Sequence, residues 1–367
     1  MKKIINSILL LSIIIISTTS CKKDKTTTET PQIQISAGGY YSMVVKTDNS
    51  LWACGYNGAG QLGDGTTTNK NSLIKIADGI KAISTSDNHT LVIKTDNSLW
   101  ACGANFNGQL GDGTTTNRNS LVKIADGVKA ISAGNGFSLI LKTDNSLWAS
   151  GANGDGQYGN GTTTSNTSFI KITDGVKAIS AGNYYSIIIK SDNSLWVAGY
   201  NATGHFGNGT TTNSNIFIKV TEGIKDISAS DNHTVILKTD NSLWVSGYNL
   251  LGQLGDGTNI SKSSFIKIAD GVKGFSAGSN QTFVLKNDNT LWGCGSNDVG
   301  QLGDGTTTDR NSLVKIADGI QSVSAGANHT LVVKTDNSVW ACGYNFHGQL
   351  GDGSTTTRNN FVFVFLP

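Results

Sequence analysis

The chain has 367 residues, with 28 Lys+Arg against 26 Asp+Glu, and 37% of it is hydrophobic. The 45 Gly bring the apolar share to about half, within the globular range of roughly 45–50%, which excludes disorder for the bulk of the chain. Charged residues at only 15% and glycine near twice its usual ~7% exclude a coiled coil or a long-helix protein and call for many turns.

Residues 1–20 read as a signal peptide: a basic start (Met1-Lys2-Lys3), an apolar stretch over 4–17, then Thr18, Thr19 and Ser20. The apolar stretch is shorter than the roughly 18–20 residues that span a bilayer. Cys21 follows directly, and this arrangement resembles the lipobox of bacterial lipoproteins, although Thr18 stands where Leu is commoner. The resemblance implies lipidation of Cys21 and export. Lys22 in place of Asp after the Cys implies the outer membrane, and Lys22-Lys23-Asp24 resembles the surface-export tags of some lipoproteins. Residues 22–31 lack apolar side chains, so 21–31 read as the lipidated Cys and a flexible tether. Without residues 1–31 the chain carries 23 basic and 24 acidic residues. No basic surplus remains to neutralise phosphates, which argues against nucleic acid as a partner and leaves the lipid as the only membrane contact.

From Gln32 to Pro367 the chain is a repeat. The seven Trp stand at 52, 100, 148, 196, 244, 292 and 340, always 48 apart, with a Gly three residues after each. No repeat carries an insertion. In residues 80–127 four short apolar runs (80–84, 90–94, 99–103 and 121–124) are bounded by Asp, Asn, Ser and Gly, so they read as strands. No stretch keeps a helical apolar period. Four strands in each of seven repeats predict an all-β, seven-bladed β-propeller over 32–367. The shortest connections are Thr95–Ser98 and Asp126-Gly127, the latter a hairpin signal. They predict a blade made of run 4 followed by runs 1, 2 and 3 of the next repeat. On that reading the ring closes by pairing the N-terminal strand (Gln32–Ser36) with the C-terminal one (Phe361–Phe365), whose alternating FVFVF reads as a sheet edge in need of a partner.

The string Leu-Trp-x-x-Gly-x-Asn-x-x-Gly-Gln-Leu-Gly-Asp-Gly, as in 99–113, and the Gly-Ala-Asn-His-Thr-Leu of 326–331 resemble the regulator of chromosome condensation (RCC1-like) repeat family. The resemblance covers 32–367 and implies a seven-bladed propeller. Functions in that family range from nucleotide exchange on a small GTPase to ultraviolet sensing and β-lactamase inhibition, so the fold alone selects none of them. Equal repeat lengths leave no room for the wedge an exchange factor adds. The Trp residues occupy a repeat-core column, unlike the interface Trp of the photosensor. The secreted inhibitor is the most useful comparison.

Little in the repeats points to chemistry. Cys54, Cys102, Cys294 and Cys342 share a column with Ser150, Ala198 and Ser246, which fits small buried strand residues and free thiols. His89, His233 and His329 share one with Tyr41, Phe137, Tyr185 and Gln281, which fits packing with a ring hydrogen bond. Asp64 and its equivalents sit in Gly-Asp-Gly turns, where an Asx side chain bonds local backbone; the Thr-rich continuation lacks the close-spaced oxygens of a calcium loop. The Gly-x-Gly strings precede no helix and are not phosphate loops. No catalytic residue, metal ligand or cofactor is expected.

Differences among the repeats are more informative. The Thr-Asp-Asn-Ser and Asp-Gly turns are nearly uniform. The run 1–run 2 loop and the pair before Gly-Gln-Leu-Gly differ from repeat to repeat, and antiparallel order puts both at one end of the blades. Tyr40, Tyr41, Phe106, Phe137, Tyr184, Tyr185, Leu250, Leu251, Phe346 and His347 are the expected partner-binding residues of that face, because large aromatic and apolar side chains anchor interfaces. The expected function is a membrane-anchored, non-enzymatic protein-binding propeller, an interaction scaffold or inhibitor-like binder whose partner is an envelope or secreted enzyme. A cell-surface glycan-binding module is the alternative. An enzyme with a central-channel site built on Asp226 is the third.

Overall fold

The structure is a computed structural model that describes residues 32–367, so the leader, the tether and Cys21 lie outside the described residues. Twenty-eight strands run from β1 (Gln34–Ala37) to β28 (Arg358–Val364), four to a repeat. They form seven four-stranded antiparallel sheets arranged as the blades of a β-propeller. In the first blade β1 pairs with β2 (Tyr41–Val45), β2 with β3 (Leu51–Gly55) and β3 with β4 (Lys70–Ala77).

Each blade is therefore one contiguous repeat, which corrects the expected phasing. The Asp-Gly step links one blade to the next, as Asp78-Gly79 passes from β4 to β5 (Ile80–Thr85). The long Gly-rich segment stays inside its blade, between β3 and β4. The expected closure by terminal strands is corrected with it: β1 pairs only with β2, and β28 pairs with β27 (Val339–Gly343). The last interface closes with contacts that the other interfaces use, the first at all of them and the second at four. Gly353 N donates to Asn71 O at 2.9 Å, as Gly65 N does to Asn119 O at 2.8 Å. Ala37 N donates to Ser324 Oγ at 3.0 Å, as Ala133 N does to Ser84 Oγ.

The outer strand also begins earlier than its apolar run. β8 (Arg118–Ala125) opens with three polar residues, whose edge meets the preceding blade's loop through an Asp64–Ser120 bridge. Hydrophobic pattern cannot announce a half-strand that buries no apolar face.

The core lies between blades. Tyr41, Met43, Val45, Leu51 and Leu62 pack against Ile80, Ile83 and Val92 of the next blade. Ile35 and Val44 meet Leu331, Val333 and Val364 at the closing interface. The strands of 32–367 pair within that stretch, and its hydrophobic clusters form between its own blades. Burial of each such side chain contributes about 1.5–3 kcal/mol.

Two uniform motifs hold the ends of the blades. In the β2–β3 turn Asn49 adopts φ +64°, as do its six equivalents to within a few degrees. Asp48 Oδ1 accepts from Ser50 N at 2.9 Å, and Ser50 Oγ accepts from Trp52 Nε1 at 2.9 Å. That chain of bonds explains why Asp, Asn, Ser and Trp recur together. In the β3–β4 loop Asn57 is fully buried. Its amide donates to Asp64 Oδ1, Thr66 O and Thr68 O at 3.0–3.3 Å, and its Oδ1 accepts from Leu62 N at 3.0 Å. Gly60 lies where a Cβ would stand 2.4 Å from Asn119 Cα, with φ +82°, so only glycine lets this loop touch the next blade.

Candidate binding face

The β1–β2 and β3–β4 loops share one face, since Tyr56 N donates to Tyr40 O at 2.8 Å and the same bond recurs in every blade. The β2–β3 turn and the Asp-Gly link share the other, tied by Ile80 N to Asn49 O at 2.9 Å. The varied loops therefore crowd one side and the uniform turns the other.

Of the residues expected on the varied face, Phe106 (74% exposed), Leu250 (57%) and Phe346 (68%) stand furthest into solvent, and Tyr40 and Tyr184 are also exposed. Leu251 and His347 are half-buried. Tyr41, Phe137 and Tyr185 are fully buried and are withdrawn as contact residues. They point into the next blade: Tyr41 Oη donates to His89 O at 2.7 Å and meets Thr90 Oγ1 at 2.9 Å. Tyr185 does the same to His233 O and Thr234. In this column variety reflects matching between blades and not contact with solvent.

One group comes together. At the junction of the seventh and first blades the Tyr40 ring lies 5.9 Å from Tyr344 and 5.6 Å from His347. Tyr56 is 5.0 Å from His347, and Phe346 is 5.4 Å from His347 and stacks on Tyr344 at 6.4 Å. The half-buried position lowers the His347 pKa, and Asn69 Nδ2 stands 3.3 Å from its Nδ1. Sequence reasoning missed Tyr56 and Tyr344. The signal for them was the variable residue of Gly-x-Asn, which is Tyr in four of the seven repeats. Tyr184 has a smaller pairing of its own with Tyr200.

The axial channel is narrow. Its mouth on the varied face, ringed mainly by the β1–β2 loop and its equivalents, encloses about 100 Å³, and a chamber below it, lined by the first strands, about 110 Å³. Small-molecule sites occupy roughly 300–1,000 Å³. Asp87 at the mouth is raised to about 6 by burial and by the charge of Asp231. Asp226 lines neither space. Its Oδ1 accepts from Ile227 N at 2.9 Å, and burial raises it to about 7.

The repeat-column residues behave as the sequence reading expects. Cys54, Cys102, Cys294 and Cys342 are buried free thiols, and burial raises all four pKa values, which makes them poor nucleophiles. His89 Nε2 meets Ser138 Oγ at 2.8 Å and Nδ1 meets Ser86 Oγ at 2.7 Å. Ser138 spends its hydrogen on Gln109 O at 2.7 Å, so Nε2 is the protonated nitrogen. Asp64 Oδ1 accepts from Thr66 N at 2.9 Å, an Asx turn, while Oδ2 faces Lys70.

The RCC1-like domain family matches residues 16–271 and 126–365. The chain belongs to that family. Among solved structures, this RCC1-like propeller is similar to Prp20p from Saccharomyces cerevisiae, described with its binding to Gsp1p and histones. The TM-score is 0.77 at 17% identity, over 86% of this chain and 85% of that one. A second structure of the yeast protein, bound to Kap60, gives 0.77 at 16% identity over 95% and 90%. Human WBSCR16 gives 0.73 at 18% identity over 81% and 85%. At these identities the likeness establishes the fold. No curated protein sequence matches the chain.

Proposed function

We propose that this RCC1-like propeller is an exported, non-enzymatic protein-binding module, anchored by lipid on Cys21, that grips its partner with the varied face. The five-ring group Tyr40, Tyr56, Tyr344, Phe346 and His347, in which Tyr40 and Phe346 are exposed and the other three half-buried, is the observation that carries the reading. Exposed rings braced by half-buried ones bring apolar area at little entropic cost, which is what the centre of an interface needs. The channel is too small for a substrate of ordinary size, and the buried thiols and imidazoles have no open approach. The protein binding named for Prp20p agrees with this class of function.

The test is a capture experiment with residues 32–367 on beads, offered envelope extract and spent medium. Beside it run Tyr40→Ser with Phe346→Ser, and an opposite-face control, Thr143→Ser. One protein retained by wild type and control, and reduced at least ~10-fold with the double variant, supports the reading; truncating two anchors costs that much. Equal retention by all three overturns it, and a retained saccharide transfers the face to glycans. Cys21→Ser tests the anchor separately, since the unmodified chain is expected to leave the membrane fraction.

A further inference from the structure

We infer that the protein pairs with a second copy of itself along the outer edge of β28. The argument is an internal comparison of seven edges. On the outer strands of six blades one position is always Lys: Lys75, Lys123, Lys171, Lys219, Lys267 and Lys315. Each is joined to an acid three residues on, as Lys75 is to Asp78 at 2.8 Å and Lys315 to Asp318 at 2.7 Å. Charged side chains on an outer strand, lysine above all, are how sheets avoid joining edge to edge. In an antiparallel pair centred on that position, two such edges would set lysine against lysine.

The seventh blade has lost the guard. Phe363 stands in the place of the Lys and Leu366 in the place of the acid. Phe363 is 52% exposed and Phe365, where the other blades have Ala or Thr, is 67% exposed. β28 has β27 on one side and, among the described residues, no strand on the other. No residue from 361 to 367 carries a charged side chain.

The sequence of this edge selects its occupant. Phe361-Val362-Phe363-Val364-Phe365 reads the same in both directions. An antiparallel copy centred on Phe363 therefore sets Phe against Phe and Val against Val at every step, with aromatic cross-strand pairs on one side of the ladder. Such a pairing is two-fold symmetric and closes on itself. Its ends are also defined. At one end β28 stops at Val364 and Pro367 O accepts from Lys46 Nζ of the first blade at 2.6 Å; at the other the Asn359 carbonyl is already taken by Gly305 N at 2.9 Å. The result joins two four-stranded blades into one eight-stranded sheet across the two-fold axis. A ladder this short falls at the small end of specific interfaces, which implies a dimer of about micromolar Kd.

Sedimentation velocity on residues 32–367, from about 1 µM to about 100 µM, spans that constant. Wild type is expected to pass from monomer to dimer over this range. Phe363→Lys restores the lysine that six blades already carry and leaves in place Leu366, which packs on the closing-interface core. It is expected to keep the thermal midpoint and remain monomeric throughout, at least a ~10-fold weaker association. Phe346→Ser, on the loop face, is expected to dimerise like wild type. A wild type that stays monomeric, a restored-guard variant that still dimerises, or a dimer abolished by Phe346→Ser overturns the inference. None of these outcomes bears on capture of a different partner by the loop face.

Discussion

Tyr41, His89, Phe137, Tyr185, His233, Gln281 and His329 occupy one column and do one job, that of filling the gap between a blade and the next. Two neighbours bear on which side chain fits, although His329 follows Gly326 and leaves its Nδ1 without a hydrogen-bond partner. Three residues earlier, the aromatic blades have Gly38, Gly134 and Gly182, where a Cβ would lie 2.3–2.4 Å from the ring. His89 and His233 have Ser86 and Ser230 there, each 2.7 Å from Nδ1. The other neighbour is the hydroxyl that the side chain meets on the next blade. Phe137 cannot bond one, and Ser186 Oγ opposite it is buried without a partner. Phe137→Tyr should supply the missing bond in a space that already holds Tyr at two other interfaces. The expected gain is about 1 kcal/mol, read from the urea midpoint at unchanged m. Reading this column as surface was a natural error: variation from repeat to repeat looks the same whether loose solvent or a matched partner permits it. Tyr40 beside it, in contrast, was legible as exposed because its own column holds Asn and Gly.

At the scale of the strand and loop, period and composition were sufficient for element type, number and blade count, because a 48-residue repeat with four apolar runs has few solutions. Which runs share a sheet was not legible. An Asp-Gly pair reports a local backbone geometry (Gly79 has φ +72°), and that geometry serves a step between blades as well as a hairpin. The β3–β4 loop looked like a crossing because it is long, yet its length is used to wrap a buried Asn and to touch the next blade. This makes the Asn the support of the binding face. Asn249 holds the loop that carries Leu250 and Leu251, through Asp256, Thr258 and Ile260 and through Leu254 N. Asn249→Ala should leave several of these groups unpaired in a buried site and cost about 2–4 kcal/mol. Hydrogen exchange should then show faster opening over residues 248–261 than over the matching loop of the next repeat.

Across the whole ring, three of the seven interfaces rest on imidazoles. Burial holds His89 and His233 down to about 3 and His329 down to about 4, below the ordinary 6.5. Below pH 6.5 the unfolded chain takes up protons that the native interfaces refuse. Stability from these groups is therefore intact above 6.5 and lost as pH falls towards 3–4. The limit is about 1.4 kcal/mol per imidazole per pH unit. Asp87 and Asp226 act in the opposite sense, because their raised carboxyls take up protons first in the folded state. A single substitution isolates one contribution. His329→Gln, with the residue that Gln281 already places in this column behind the same glycine (Gly278, Gly326), should gain about 1 kcal/mol on wild type for each unit of acidification between pH 6 and 5. Urea titrations of the two proteins at pH 7 and pH 5 measure it, and parallel curves at both would remove the imidazole from the account.

Because each blade is one uninterrupted repeat, the gene can lose or gain a whole blade in a single recombination between copies. Excising residues 80–127 would remove four complete strands and join Gly79 to Val128, restoring the same Asp-Gly step that it cut. Here the number of blades is open to change one repeat at a time, and the lysine-free outer edge stays with the seventh.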